Sequence, residues 1–310
     1  MAEENVIVTR GLTKRFGNKK KSIIAVDNLD LEVHRGEVFG FLGPNGSGKT
    51  TTIGMLLGLI WPTSGSIEFF GDGKSKPAKL LRKVGVVMDS PSFFSHLSGL
   101  NNLWYFAIIT NCASRGDIDK AIEMVGLNER GKDKVRTYSM GMKQRLAVAL
   151  SLMHDPELVI MDEPTNGLDP TGIIEFRETI RRLRENGKTV FISSHLLSEV
   201  EKVCSHVALI NRGRILAKGS VGELLGKMKA IWFKVSDADG AICLLEGVEW
   251  IKSVKKKETG LVVAEAEEER AYEINKLLIS NGIHVNEMKI SEGSLEDFFL
   301  ATIDAGETVK

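Results

Sequence analysis

The chain has 310 residues, 43% hydrophobic and 26% charged, with 41 basic residues balancing 41 acidic ones. That is too apolar for a disordered chain and longer than one hydrophobic core normally spans, so one large and one small compact unit are expected. Zero formal charge excludes a global pull toward nucleic acid or an anionic membrane, three scattered cysteines exclude a disulfide framework, and no stretch approaches the ~20 consecutive apolar residues of a membrane helix.

The N-terminus, MAEENVIVTR, lacks the basic-then-apolar order of a secretory signal, so the chain is expected to stay in the cytoplasm. Short β-like runs open the sequence, IIAV at 23 to 26 and EVFGFLG at 37 to 43, and a helical pattern starts at Thr50. The apolar runs VGVVM (84 to 88), ELVIM (157 to 161), TVFIS (189 to 193) and VALIN (207 to 211) read as further strands. Helical spacing recurs around 117 to 126, 141 to 153 and 172 to 186. Strands alternating with helices predict a mostly parallel sheet covered by helices, an α/β fold. From about 95 to 140 the alternation gives way to LSGLNNLWYFAIIT and DIDKAIEMVGL, which predict an inserted helical subdomain placed at about 95–150. Trp104, Tyr105 and Phe106 there are read as its core rather than as a ligand box. Near 226 the pattern changes to strands IWFKVSD, GLVVAEAE and HVNEMKIS around a helical EERAYEINKLLISNG, a small α+β domain over 227–310 with the order of a ferredoxin-like split βαβ. The lysine runs at 19 to 21 and 255 to 257 are read as solvated loop faces, and Cys112, Cys204 and Cys243 as reduced packing residues.

GPNGSGKT fills every fixed position of G-x-x-x-x-G-K-[ST], between a strand and a helix. Gly43, Pro44, Asn45, Gly46, Ser47 and Gly48 supply a loop whose backbone N–H groups can turn around phosphate oxygens, Lys49 reaches the β- and γ-phosphates, and Thr50, followed by Thr51, offers its hydroxyl to Mg²⁺. In ELVIMDE, successive side chains of a strand point to opposite faces, so the two terminal acids take different roles. Asp162 is placed for the Mg²⁺ shell, and Glu163 is the candidate to orient and polarise the attacking water. Another acid, Asp89 in VVMDSPSFF, sits where a strand gives way to a turn, which it could simply cap.

With these motifs in place, residues 4 to about 225 resemble the ATP-binding cassette family. YSMGMKQRL resembles that family's signature, usually written LSGGQ, keeping Ser139 and Gly141 and departing at Tyr138, Met140 and Met142. Ser139 is expected to cap the helix that follows. The resemblance implies an ATP-binding cassette domain of the P-loop NTPase fold over 1–226 and a head-to-tail pair of copies sandwiching two ATP molecules. Ser139 and Gly141 would face the γ-phosphate held by the other copy, Asp169 of NGLDP would cross the interface, His195 of SSHLLSEVE would touch the γ-phosphate, and Phe16 of LTKRFG would stack on adenine. It further places Asp89 where the family usually has a glutamine that reaches Mg²⁺ and senses the membrane partner. A Glu there, in an ESP setting, is typical of cassettes that export lantibiotics and bacitracin-like peptides, and DSP resembles that variant. The tail SEGSLEDFFLAT is similar to the appendage of drug- and peptide-exporting cassettes. The implied function is the Mg-ATP-hydrolysing subunit of an exporter, peripheral on the inner membrane face and driving a separate integral permease, with no nucleic acid partner. Rival expectations are a regulatory ATPase on a membrane complex that moves no solute, and a soluble factor acting on ribosomes or DNA.

Overall fold

In the computed structural model, residues 4–18, 21–71, 80–88, 92–226, 229–258, 260–292, 294–299 and 302 are described. The chain divides into two compact units, Met1–Gly219 and Ser220–Lys310.

In the first unit, β1 (Asn5–Asn18) and β2 (Lys21–His34) form a long antiparallel ribbon, followed by β3 (Val38–Leu42), α1 (Lys49–Leu56) and β4 (Ser64–Phe69). Strand β4 pairs with the other edge of β1, giving a three-stranded antiparallel sheet in the order β2-β1-β4. The chain continues through β5 (Val84–Val87), α2 (Gly99–Thr110), α3 (Arg115–Met124), α4 (Met140–Leu152) and β6 (Leu158–Asp162). It ends with α5 (Pro170–Glu185), β7 (Thr189–Ser194), the single turn α6 (Leu197–Val200), β8 (His206–Asn211) and β9 (Arg214–Ser220). The second sheet has the order β5-β6-β7-β3-β8-β9, and its pairs from β5 to β8 are parallel. Strands β3, β6 and β7 are buried at every residue, as unbroken apolar runs covered on both faces must be. Their core joins Phe41, Ile160 and Phe191 to Ile53 and Met55 of α1 and to Ile7, Leu29 and Phe69 of the antiparallel sheet.

The helices of the insert start at polar caps. The Ser98 hydroxyl accepts from the Asn101 amide, and Ser114 forms a reciprocal capping box with Asp117. On α2 the inward face is set by Gly99, Asn102, Leu103 and Ala107. Trp104 and Tyr105 follow Leu103 around the helix and turn outward, 44% and 43% exposed, and Phe106 is half-buried. The reading of Trp104 and Tyr105 as subdomain core is thus corrected: the i, i+4 pair of Leu103 and Ala107 takes the core positions. Cys204 is buried as expected, whereas Cys112 and Cys243 are exposed, so neither of those two is a packing residue.

The second unit runs α7 (Val221–Gly226), β10 (Lys229–Val235), α8 (Ala238–Glu246), β11 (Ser253–Glu258), β12 (Leu261–Glu265), α9 (Ala271–Ser280) and β13 (Val285–Glu292). Its sheet has the order β11-β12-β10-β13 with all neighbours antiparallel. Strand β12 separates β10 from β11, which is the split βαβ arrangement. Ile231 and Phe233 of β10 pack with Leu245 of α8 and with Ile274 and Leu278 of α9 in a core of their own. The lysine run at 255 to 257 is solvated as expected, but it lies on edge strand β11 rather than in a loop. Charged side chains are a common protection for such an edge, and here Lys256 pairs with Asp239 at 2.7 Å and Lys257 with Asp297 at 2.9 Å. Of the run at 19 to 21, Lys19 and Lys20 lie outside the described residues.

Candidate active site

Parallel pairing fixes where the site must lie. Leu42 is level with Ser194 and Asp162 with Ser193, so the carboxyl ends of β3, β7 and β6 form one edge, the place where open α/β sheets bind ligands. The loop from Gly43 to Gly48 leaves β3 there and turns into α1. Gly48 has φ +110°, and a Cβ on it would lie 2.5 Å from the Ala25 carbonyl oxygen, so only glycine fits between the loop and β2. A Cβ on Gly43 would sit 2.1 Å from the Ile210 carbonyl oxygen. No side chain caps α1, which leaves its first amides to whatever anion the loop holds.

Lys49, buried at the head of α1, has its Nζ 2.7 Å from Gly43 O, 3.2 Å from Pro44 O and 3.1 Å from Glu163 Oε1. An ammonium carries three protons, and these three acceptors match them. Glu163 takes φ +47°, the left-handed region in which a residue with a Cβ is uncommon. Its other carboxylate oxygen lies 2.8 Å from Nδ1 of His195 and accepts from the His195 amide at 3.3 Å. The Glu163 carboxylate is therefore held between a lysine and a histidine from two different strand ends. Asp162 is 3% exposed, and its Oδ1 accepts from the Ser193 hydroxyl at 2.5 Å. The same hydroxyl accepts from the Glu163 amide at 3.0 Å, so one serine of β7 fixes both acids.

The loop, Lys49, Asp162, Glu163 and His195 thus come together. Thr50 is exposed and Thr51 half-buried on the first turn of α1. Phe16 lies on β1, paired with Ile23 of β2, two residues before the Ala25 whose carbonyl closes over Gly48. The ring is 43% exposed, with the Lys14 ammonium 5.0 Å from its centroid. Ser139, Gly141 and Asp169 form a second group. Ser139 caps α4 through the Met142 amide, Asp169 caps α5 through the Gly172 amide with Pro170 in the first turn, and a Cβ on Gly141 would lie 3.3 Å from the Gly172 Cα. The departure at Tyr138 has a structural reason: the ring is 5% exposed and its hydroxyl donates to Arg130 O at 2.8 Å, an anchor for the loop that precedes α4. Asp89 lies outside the described residues.

Sequence reasoning missed Ser193 and Ser194. Both are fully buried at the end of β7, the Ser194 carbonyl accepts from the Gly43 amide at 3.1 Å, and its hydroxyl accepts from the Leu196 amide at 3.0 Å. The signal available was a pair of hydroxyls closing an otherwise apolar run directly before His195.

Among the described residues, no group of three or more His, Cys, Asp or Glu is arranged to hold a metal. The Thr50 hydroxyl and Asp162 carboxylate are hard oxygen donors, and two protein ligands suffice for a magnesium ion that takes its remaining ligands from water and substrate phosphates. The donor set fits that ion.

A strand, a glycine loop with a buried lysine, and an acid pair on the next-but-one strand define a P-loop nucleoside triphosphatase. Residues 26–166 match the family described as ABC transporter. Over 97% of this chain and 98% of its own length, the bacitracin transport ATP-binding protein BcrA of Bacillus licheniformis is 42% identical. The lantibiotic transport ATP-binding protein SrtF of Streptococcus pyogenes is 40% identical over 67% of this chain and 87% of its own length. Among solved structures, cbiO1 of Clostridium perfringens, part of the ABC transporter complex cbiONQ, aligns with a TM-score of 0.65 and 27% identity, covering 73% of this chain and 92% of that one. The chain belongs to the ABC transporter family, as an ATP-binding and ATP-hydrolysing subunit.

Proposed function

We propose that this subunit powers export of a peptide antibiotic, or of a drug or similar amphiphile, through a separate integral permease. The bacitracin and lantibiotic transport roles named for the relatives support the cargo class. No helix among the described residues is long and apolar enough to cross a membrane, which supports a partner chain as the conduit and a peripheral place on the inner membrane face for this one. We assign 1–226 as the ATP-binding domain, with its helical subdomain at about 95–150, and 227–310 as an accessory domain.

The observation that carries the mechanism is the Glu163 carboxylate held between Lys49 and His195. In this reading Gly43 to Thr51 surround the phosphates, Phe16 stacks on the base, and Thr50 and Asp162, with Asp89, hold Mg²⁺, which would supply neutralising charge at the phosphates. Glu163 takes a proton from the attacking water as its oxygen bonds the γ-phosphorus and the bond to the ADP oxygen breaks. His195 donates Nδ1–H to the carboxylate and keeps it aimed. Lys49 moves part of its hydrogen bonding from the loop carbonyls and Glu163 to phosphate oxygen. Ser139, Gly141 and Asp169 serve the nucleotide of a second copy, head to tail, so hydrolysis removes the anion that holds the pair closed. The exposed Trp104 and Tyr105 suit contact with the permease's cytoplasmic helix.

The test is Glu163→Gln. ATP binding should persist, turnover should fall by about a hundredfold or more, and ATP should trap a dimer in size-exclusion chromatography. Hydrolysis at the parental rate would remove Glu163 from the role of base.

A further inference from the structure

Away from the sheet edge, a cleft of about 370 Å³ opens between the end of α3, the second turn of α4 and the outer face of α5. This lies within the size range of small-ligand sites. Four arginines line it, Arg145, Arg177, Arg181 and Arg182, against two glutamates, Glu175 and Glu178. The pairing inside is incomplete. Glu175 accepts from Arg145 at 3.0 Å, while Glu178 is shared by Arg181 and Arg182, each at 3.6 Å, beyond good hydrogen-bond distance. Arg177 turns to Glu199 at 2.9 Å.

Two of the guanidiniums flank the turn that follows α3. A Cβ on Gly126, two residues past the end of α3 and at φ +65°, would lie 3.4 Å from Arg182 Nη1 and 3.7 Å from Arg145 Nη1. Arg145 Nη1 already donates to the Gly126 carbonyl at 3.2 Å, so α3 anchors one of the pair. The Nε–H groups of both Arg145 and Arg177 are buried without an acceptor. A buried donor left unmade costs about 1–3 kcal/mol. Four guanidiniums against two carboxylates leave the lining positively charged, which suits a tetrahedral oxyanion whose oxygens match the guanidinium fork. Ile174, 60% exposed, and the buried Val125 supply apolar wall beside the charge.

We propose that this cleft is a second anion site, which binds a small organic phosphate and clasps α3, α4 and α5 together. It is separate from the loop that holds ATP.

The probe is inorganic phosphate, then phenyl phosphate, titrated at constant ionic strength into the full chain labelled with nitrogen-15 arginine. The Nε–Hε resonances of Arg145 and Arg177, assigned from Arg→Lys variants, should both shift saturably. Phenyl phosphate should saturate them at about tenfold lower concentration, because its ring covers the exposed Ile174. Arg181 and Arg182 are largely solvated, so the double variant Arg181→Ala, Arg182→Ala should fold normally and abolish saturation. The proposal is overturned if neither resonance shifts saturably, or if the double variant shifts undiminished. Because the reporters are the cleft's own arginines, this result stands apart from the Glu163→Gln result.

Discussion

Ser193 donates to Asp162 and accepts from the Glu163 amide while fully buried, so the side chain that sets both acids belongs to neither motif. Replacing it with alanine leaves an N–H and a carboxylate oxygen short of a partner, at a cost of about 1–3 kcal/mol. If that cost falls on the geometry of catalysis, Ser193→Ala should lower turnover by about ten- to a hundredfold while ATP affinity changes much less; turnover within about twofold of the parent would rule this positioning role out. The contrast with Lys49 shows what a sequence makes legible at this scale. Lys49, Asp162 and His195 stand in short motifs whose spacing is fixed by one turn or one strand end. Ser193 acts across strands on partners about thirty positions away, and register of that kind is set by the whole sheet. Trp104 was misjudged for a related reason: helical spacing gives the faces of α2, and the rest of the fold decides which one is covered.

Among the elements, the parallel strands were readable because burial on both faces makes them continuous apolar runs. Strand β1 was not, since NVIVTRGLTKRFGN carries polar residues on its open side and its register shifts repeatedly against β2. Strand β11 was hidden by its lysines, and α8 by its brevity. At the opposite end of the parallel sheet, Glu157 precedes β6 and bridges Lys83 and Arg35, each at 2.7 Å. The hydrogen bond from Lys83, then that from Arg35, holds its carboxyl below the usual carboxylate range. A group whose folded pKa is depressed stabilises the fold above its unfolded pKa, and that contribution disappears as pH falls through the lowered value. From about pH 4.5 downward, urea midpoints should therefore decline more steeply for the parent than for Glu157→Gln; parallel declines would show that the bridge contributes nothing. Partial exposure of these groups keeps the effect modest.

For the whole molecule, the two units have separate cores, one around Phe41 and Phe191 and one around Phe233 and Leu245. A chain ending at Gly226 should thus remain folded and bind ATP with an affinity close to that of the full protein, as calorimetry can measure; aggregation of that fragment, or loss of its ATP binding, would show that the first unit depends on the second.

The strand order carries a consequence for how the protein comes into being. Strand β7 lies between β6 and β3, yet it follows both along the chain. Until Thr189–Ser194 has left the ribosome, the loop-bearing strand and the acid-bearing strand lack the strand that joins them, and neither serine is present to align the acids. A nascent chain that pauses before Thr189 therefore leaves both edges of β3 and one edge of β6 without partner strands, three apolar edges open to its surroundings.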